Sequence, residues 1–209
     1  MAALSIIVPT LNAADHLRGS LPPLAVFDAV DLVHEVILAD GGSGDDTAAI
    51  AAGALLVTAA AGRGGQLAAG AGAASGAWLL FLHADTRLDA GWPAAVRRFI
   101  GDPANLRRAG YFRFQLDDDR WQARLLARIV GWRARLLGLP YGDQGLVIAR
   151  AYYREIGGFK PLPLMEDVDI VRRIGARNLV ALPVAAVTSA DRYRRHGYVR
   201  RPLRNLCCL

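Results

Sequence analysis

Acidic side chains follow apolar runs at three places in the chain, and each offers a different chemistry. In Leu80-Phe81-Leu82-His83-Ala84-Asp85-Thr86, Asp85 emerges from a stretch composed like a buried strand. A carboxylate there is costly unless it is paired or metal-bound. A hard divalent cation, Mg²⁺ or Mn²⁺, takes oxygen ligands and can hold a diphosphate at the same time, which makes Asp85 a candidate metal ligand. His83 would then touch the metal or a ribose; a capping Asp85 beside a packed His83 is the structural alternative. In Pro161-Leu162-Pro163-Leu164-Met165-Glu166-Asp167-Val168-Asp169, Glu166 and Asp167 open a helix, where the dipole favours negative charge. The same carboxylates are also what deprotonation of an attacking hydroxyl requires. Asp40 precedes Gly41-Gly42-Ser43-Gly44-Asp45-Asp46-Thr47, a strand-to-helix turn that Ser43 or Asp45 can cap. Asp40 itself is not needed for that cap and can accept hydrogen bonds from a base or a ribose.

Two further clusters carry polar groups. Gly62-Arg63-Gly64-Gly65-Gln66 runs into a helix rich in Ala and Gly, and backbone amides at a helix start beside an arginine form a phosphate cradle. It is not a Walker loop, and the Rossmann glycine spacing after the first strand is missing. Close helix packing explains Gly70, Gly72 and Gly76 equally well. Tyr141-Gly142-Asp143-Gln144 lies just before an apolar run and is suited to lining an acceptor pocket.

These residues need elements to hold them. Leu4–Pro9, Glu35–Ala39, Ala54–Thr58 and Trp78–Leu82 read as strands, separated by helical stretches at Ala14–Leu24, Asp45–Ala52 and Gly64–Ser75. Nearly continuous apolar strands alternating with helices predict a doubly wound α/β architecture with a mostly parallel sheet. Ligands of such sheets sit at the carboxyl ends of the strands. Pro9-Thr10-Leu11-Asn12, Asp40–Ser43 and His83–Asp85 all fall there. The second half reads as a strand at Ala109–Leu116, a basic amphipathic helix at Trp121–Leu137 and a strand at Gly145–Ala149. Helices at Ala151–Ile156 and Glu166–Ile174 and a last strand at Leu179–Pro183 follow.

At 209 residues and 53% apolar composition, the chain fits one domain with a real core, residues 1–209. No run reaches a membrane span, and Met1-Ala2-Ala3-Leu4 is unlike a signal peptide, so a cytoplasmic location is expected. The only cysteines, Cys207 and Cys208, are adjacent and exclude a disulfide framework or a Cys-based metal site. The net charge of +6 concentrates in Arg120–Arg135 and from Arg192 to Arg204. No nucleic-acid-binding signature accompanies those arginines, so no nucleic acid is expected. A solvated face, a homodimer interface, an acceptor pocket and peripheral contact with an anionic inner membrane face all fit them.

Taken together, Ser5–Asn12, Asp40–Thr47, His83-Ala84-Asp85 and Glu166-Asp167, in this order, resemble the family 2 glycosyltransferases of GT-A, Rossmann-like fold. Leu82–Thr86, Tyr141–Gln144 and Pro163–Asp167 resemble more narrowly a bacterial branch labelled arsenosugar-biosynthesis or radical-enzyme-associated. The resemblance implies inverting, metal-dependent hexosyl transfer from a nucleotide-diphosphate sugar to a hydroxyl of a small or lipid-like acceptor. Residues 1–100 would form the nucleotide-binding half and 101–209 the acceptor half with its basic tail. Pro9, Thr10, Asn12, Asp40, Arg63, Gln66, His83 and Asp85 would bind the nucleotide sugar. Asp85 would hold Mn²⁺ or Mg²⁺ in place of the family's Asp-X-Asp motif. Asp167 would be the general base, with Glu166 positioning it or the acceptor, and Tyr141, Gly142, Asp143 and Gln144 would line the acceptor site. Ala13 and Ala68 depart from the family's glutamate and asparagine, and Asp15 stands where it can substitute for the former. A non-catalytic nucleotide-sugar-binding protein and a sugar-phosphate nucleotidyltransferase are the alternatives.

Overall fold

A computed structural model describes residues 4–24, 29, 31–51, 53–162 and 164–198. Pro163 and the tail bearing Arg200, Arg201, Arg204, Cys207 and Cys208 lie outside the described residues, as do the side chains of Arg192 and Arg195.

The first half builds four parallel strands: β1 (Leu4–Thr10), β2 (Val33–Asp40), β3 (Leu55–Thr58) and β4 (Trp78–Phe81). Their order is β3-β2-β1-β4, and the register aligns Thr10 with Asp40 and Asp40 with Thr58. Three chain exits are thereby gathered at one edge. β1 and β4 are almost wholly buried, as their unbroken apolar sequence demands. Helices α1 (Ala14–Ser20), α2 (Thr47–Ile50) and α3 (Arg63–Ala73) supply the crossovers. The first two are shorter than expected. Pro22 and Pro23 break the first, leaving a 3-10 turn at Pro22–Leu24, and hydrogen bonds of the Asp45 side chain delay the start of the second.

The sheet then changes direction. β5 (Thr86–Leu88) and α4 (Trp92–Ile100) lead to β6 (Ala109–Leu116), α5 (Trp121–Leu137) and β7 (Leu146–Ala149). α6 (Arg150–Glu155), α7 (Glu166–Ile174), β8 (Leu179–Thr188) and α8 (Asp191–His196) complete the described chain. β7 joins β4 antiparallel, so one sheet, ordered β3-β2-β1-β4-β7-β6-β8-β5, runs through both halves. The pairings β6–β7 and β5–β8 are also antiparallel, whereas β6 and β8 run parallel. β8 does not stop at Pro183 as expected. Its register against β6 slips between the Tyr111 and Arg113 pairings, and the irregularity accommodates the proline, which has no N–H for a ladder. The sequence reading also lacked β5, α4 and α8. Trp92 of α4 is fully buried, its indole N–H donating to Pro23 O at 2.9 Å.

α3 lies unusually close to the sheet. A Cβ at Gly70 would stand 2.5 Å from Ile7 Cγ2 and 3.4 Å from Ala39 Cβ, whereas one at Gly72 would meet nothing within 4 Å. The close approach brings the start of α3 over the strand ends. We predict that Gly70→Ala lowers the melting temperature, overpacking of about 1–3 kcal/mol exceeding the helix-propensity gain of about 1 kcal/mol. Gly72→Ala, in the same helix, should show the gain alone and raise it; equal effects of the two substitutions would contradict the packing account.

Candidate functional site

The β1 and β2 exits are tied into one loop platform. Asp40 Oδ1 accepts from Thr10 Oγ1 at 2.9 Å and Ser43 Oγ at 2.5 Å, while Oδ2 accepts from the Gly42 and Ser43 amides at 3.0 and 2.8 Å. Burial works to raise the pKa of Asp40, but the donors, Ser43 foremost, outweigh it and hold the group below its ordinary value. The carboxylate that the helix cap does not need therefore organises the turn. Asn12, in a left-handed conformation with φ 49°, donates its N–H to Ser43 Oγ and accepts from the Gly44 amide. The Ala13 amide donates to Thr47 Oγ1 and the Ala14 amide to Asp45. Gln66, 4% exposed, donates its side-chain amide to Thr10 O at 2.6 Å and Ala39 O at 2.9 Å. Thr10 and Gln66, both expected at a ligand, thus brace the strand ends, while Pro9 continues the β1 ladder opposite Ala39. Asp15 does not fill the place of the missing glutamate: its side chain is 96% exposed and pairs with Arg18.

A second group of residues faces this platform. Arg63, the first residue of α3, pairs through Nε with Glu166, the first residue of α7. Glu166 is 1% exposed and Arg63 39%. Burial works against the charge of Arg63, yet the bond and field of Glu166, with Asp167 and Asp143 behind it, raise its pKa above the ordinary value. The two helix starts touch because residue 64 is glycine, where a Cβ would stand 2.2 Å from Lys160 O. Two backbone amides orient Asp167, Oδ1 accepting from the Val168 amide and Oδ2 from the Gly142 amide, both at 2.8 Å. A Cβ at Gly142 would lie 2.6 Å from His83 Nε2 and 3.3 Å from Asp167 Oδ2, so His83, Gly142 and Asp167 adjoin.

Asp85 sits half-buried just beyond β4, its backbone carbonyl accepting from the Ser189 amide at 3.0 Å and its carboxylate receiving one long bond, 3.4 Å, from Thr86. Asp143 is half-buried near it. Its Oδ1 is buried without a hydrogen-bond partner. Burial, opposed by Arg133 and reinforced by Asp167 and Asp85, pushes its pKa up to about 6. Gln144 is buried and donates to Phe112 O. Tyr141 stacks beneath Arg133, whose guanidinium stands 3.3 Å from the ring centre and donates to Leu139 O. Arg133 was missed in the sequence, its signal submerged in the arginine periodicity of α5. A cavity of about 20 Å³, enough for one water, lies among Leu67, Phe81, His83, Tyr141, Glu166 and Asp167.

The sequence-expected residues therefore converge as two layers. Arg63, His83, Tyr141, Gly142, Asp143, Glu166 and Asp167 come together, with Asp85 alongside, while Asp40, Thr10, Asn12 and Gln66 form the platform. Among the described residues no group of three or more His, Cys, Asp or Glu can hold a metal ion. A cation at Asp85 would take most of its ligands from phosphate and water, a common arrangement for Mg²⁺. Asp143 gives this cluster a pH signature. Between its ordinary 3.8 and about 6, the folded chain keeps a proton that the unfolded chain has released, so stability falls as pH rises through that window. Asp143→Asn in EDTA should remove this fall, about 2–3 kcal/mol; parallel stability–pH curves for variant and wild type, read by urea unfolding, would refute it.

Several solved structures share the fold. Glucosyl-3-phosphoglycerate synthase from Mycobacterium tuberculosis, in complex with Mn²⁺, uridine diphosphate and glucosyl-3-phosphoglycerate, is similar at 21% identity and TM-score 0.57, over 90% of this chain and 70% of that one. The same enzyme with Mn²⁺, UDP-glucose and phosphoglyceric acid gives TM-score 0.62 at 21% identity, over 99% and 79%. TarS of S. aureus, residues 1–349 with UDP-GlcNAc, gives TM-score 0.63 at 15% identity over 90% of this chain; the chain spans 59% of it. Among curated proteins none matches in sequence. The fold is the GT-A, Rossmann-like α/β fold. The family model of glycosyl transferase family 2 matches residues 5–156, most of the chain, and the chain belongs to that family.

Proposed function

We propose that the chain is an inverting, metal-dependent glycosyltransferase that moves a hexosyl group from a nucleotide-diphosphate sugar to an acceptor hydroxyl. The observation that carries this reading is the meeting of Asp167, His83 and the Arg63–Glu166 pair at the sheet edge where the parallel strands end. The relatives bound to Mn²⁺, UDP and UDP-sugars support the donor class.

In this reading Asn12 and the Asp40-organised turn receive the base and ribose, with Pro9, Thr10 and Gln66 holding that platform rigid. Arg63, paired through Nε and 39% exposed, turns its remaining donors to the diphosphate. Asp85 would hold Mn²⁺ or Mg²⁺ with it, His83 touching the metal or the ribose, and such a cation would offset the negative charge that develops on the departing diphosphate. Asp167 takes the proton of the attacking hydroxyl at Oδ1 or Oδ2, its orientation set by the Gly142 and Val168 amides. Glu166 positions Arg63, and Tyr141, Gly142, Asp143 and Gln144 border the acceptor.

Two measurements test this. UDP with Mn²⁺ should raise the melting temperature, by the equivalent of about 2.7 kcal/mol at a hundredfold excess over Kd, and Asp85→Asn should abolish the part that depends on Mn²⁺. No shift with any nucleoside diphosphate would remove the donor class. Asp167→Asn should keep the UDP shift while lowering turnover of the donor by about 10²–10⁴-fold. A variant as active as wild type would sink the base assignment. Binding without turnover of any donor in the wild type would favour a nucleotide-sugar-binding protein, a reading to which the buried Ala13 and outward-turned Asp15 contribute.

A further inference from the structure

Helix α5 has two apolar faces. Ala123, Leu126 and Val130 pack inward against Phe114, Leu116 and Ala190 in a small second core. On the opposite side Trp121, Leu125, Ile129, Trp132 and Leu136 recur every three or four residues and form one continuous stripe. All five are exposed, Trp132 by 70% and Leu136 by 79%. Most of the exposed large apolar side chains among the described residues belong to this helix, a concentration that scattered surface residues do not produce.

The charges around the stripe identify its partner. Arg124, Arg128 and Arg135 follow one edge of the stripe, and α5 contains no Asp or Glu. Two copies packed through this face would oppose arginine to arginine. An anionic lipid surface would neutralise the same row, while the indoles of Trp121 and Trp132 sit at headgroup depth. With 17 residues and four arginines α5 does not cross a bilayer, and no helix among the described residues is long and apolar enough to do so. We propose that α5 lies in the interface of an anionic membrane through Trp121, Leu125, Ile129, Trp132 and Leu136. Its carboxyl end leads directly to Tyr141, on which Arg133 is stacked, so docking sets the Tyr141–Gln144 edge beside the bilayer. That this edge then receives a membrane-borne acceptor rests on the glycosyltransferase reading; the docking does not.

The chain should sediment at low salt with phosphatidylcholine vesicles containing about one-third phosphatidylserine, not with phosphatidylcholine alone, and should be released by about 0.5 M NaCl. Ile129→Glu combined with Trp132→Glu should weaken sedimentation by about tenfold or more, with the melting temperature and the UDP–Mn²⁺ shift unchanged. Arg124→Glu combined with Arg128→Glu, which leaves the stripe intact, should also weaken it. Failure of the wild type to sediment, undiminished sedimentation of the stripe variant, or a wild-type dimer that this variant makes monomeric would overturn the proposal. Vesicle binding without any UDP–Mn²⁺ shift would sustain the docking and remove the donor reading instead.

Discussion

The ion pair between Arg63 and Glu166 joins two helix starts that the chain order keeps a hundred residues apart. The two ends stand differently toward their helix dipoles. Glu166 sits in the first turn of α7, where the dipole favours a carboxylate, while Arg63 at the start of α3 is a cation against the dipole. The pair resolves that conflict, and its half-exposed arginine puts its worth between the roughly 0–1 kcal/mol of a surface pair and the roughly 3–5 kcal/mol lost when a buried one is broken. Around it the backbone is arranged at some cost. Met165 holds φ 61° to start α7, residue 64 tolerates no side chain, and Glu166 Oε2 is buried without a partner. Such costs are characteristic of a place where function constrains the fold.

The platform opposite is built on the reverse principle. The Thr10 hydroxyl, the Asp40 carboxylate and the Gln66 side-chain N–H groups are bonded within the protein, which removes conformational freedom from the β1 and β2 exits before any ligand arrives. A ligand meeting a satisfied platform loses little to ordering of the loop, and gains chiefly from groups that remain half-exposed. Those groups are Arg63, Asp85, Tyr141 and Asp167. On the proposed reading the division of labour is between residues that fix the floor and residues that would make contact above it.

This division was not legible in the sequence, although the strands were. Leu4–Pro9 and Trp78–Leu82 announce buried parallel strands because both faces are apolar, and Ala109–Leu116, Trp121–Leu137 and Glu166–Ile174 match their elements end to end. The polar clusters at the strand ends follow from the architecture. What a single sequence does not display is pairing at long range. Gln66 reads as part of a glycine-rich cradle, and only the closeness of α3 to the sheet shows its amide bonded to two strand carbonyls. Asp40 reads as spare, because the Thr10 hydroxyl that shares it is thirty residues away. The antiparallel entry of β7 and the extension of β8 past Pro183 escaped for a similar reason: both depend on which neighbour a strand finds. Arg133 was hidden by company, one arginine among several on a helix that also has an exposed face.

The remaining feature to account for is the crowding of like charge. Asp85 and Asp167 both act on Asp143, and Arg133 and Arg63 oppose them there. A site assembled for structure alone would place neutral side chains at these positions, since enclosed carboxylates raise one another's energy. The chain lowers the repulsion in one way by itself, through the proton that Asp143 retains up to about pH 6. On the proposed reading a cation at Asp85 would lower it in another, and the two would be linked: positive charge at Asp85 would draw the pKa of Asp143 down, and loss of the proton would strengthen the attraction for the cation. Proton and metal would then compete for the same electrostatic deficit. On the proposed reading that competition gives Asp143 a purpose that its hydrogen bonds do not, since it adjusts the charge next to Asp167 to the presence of the metal-bound donor.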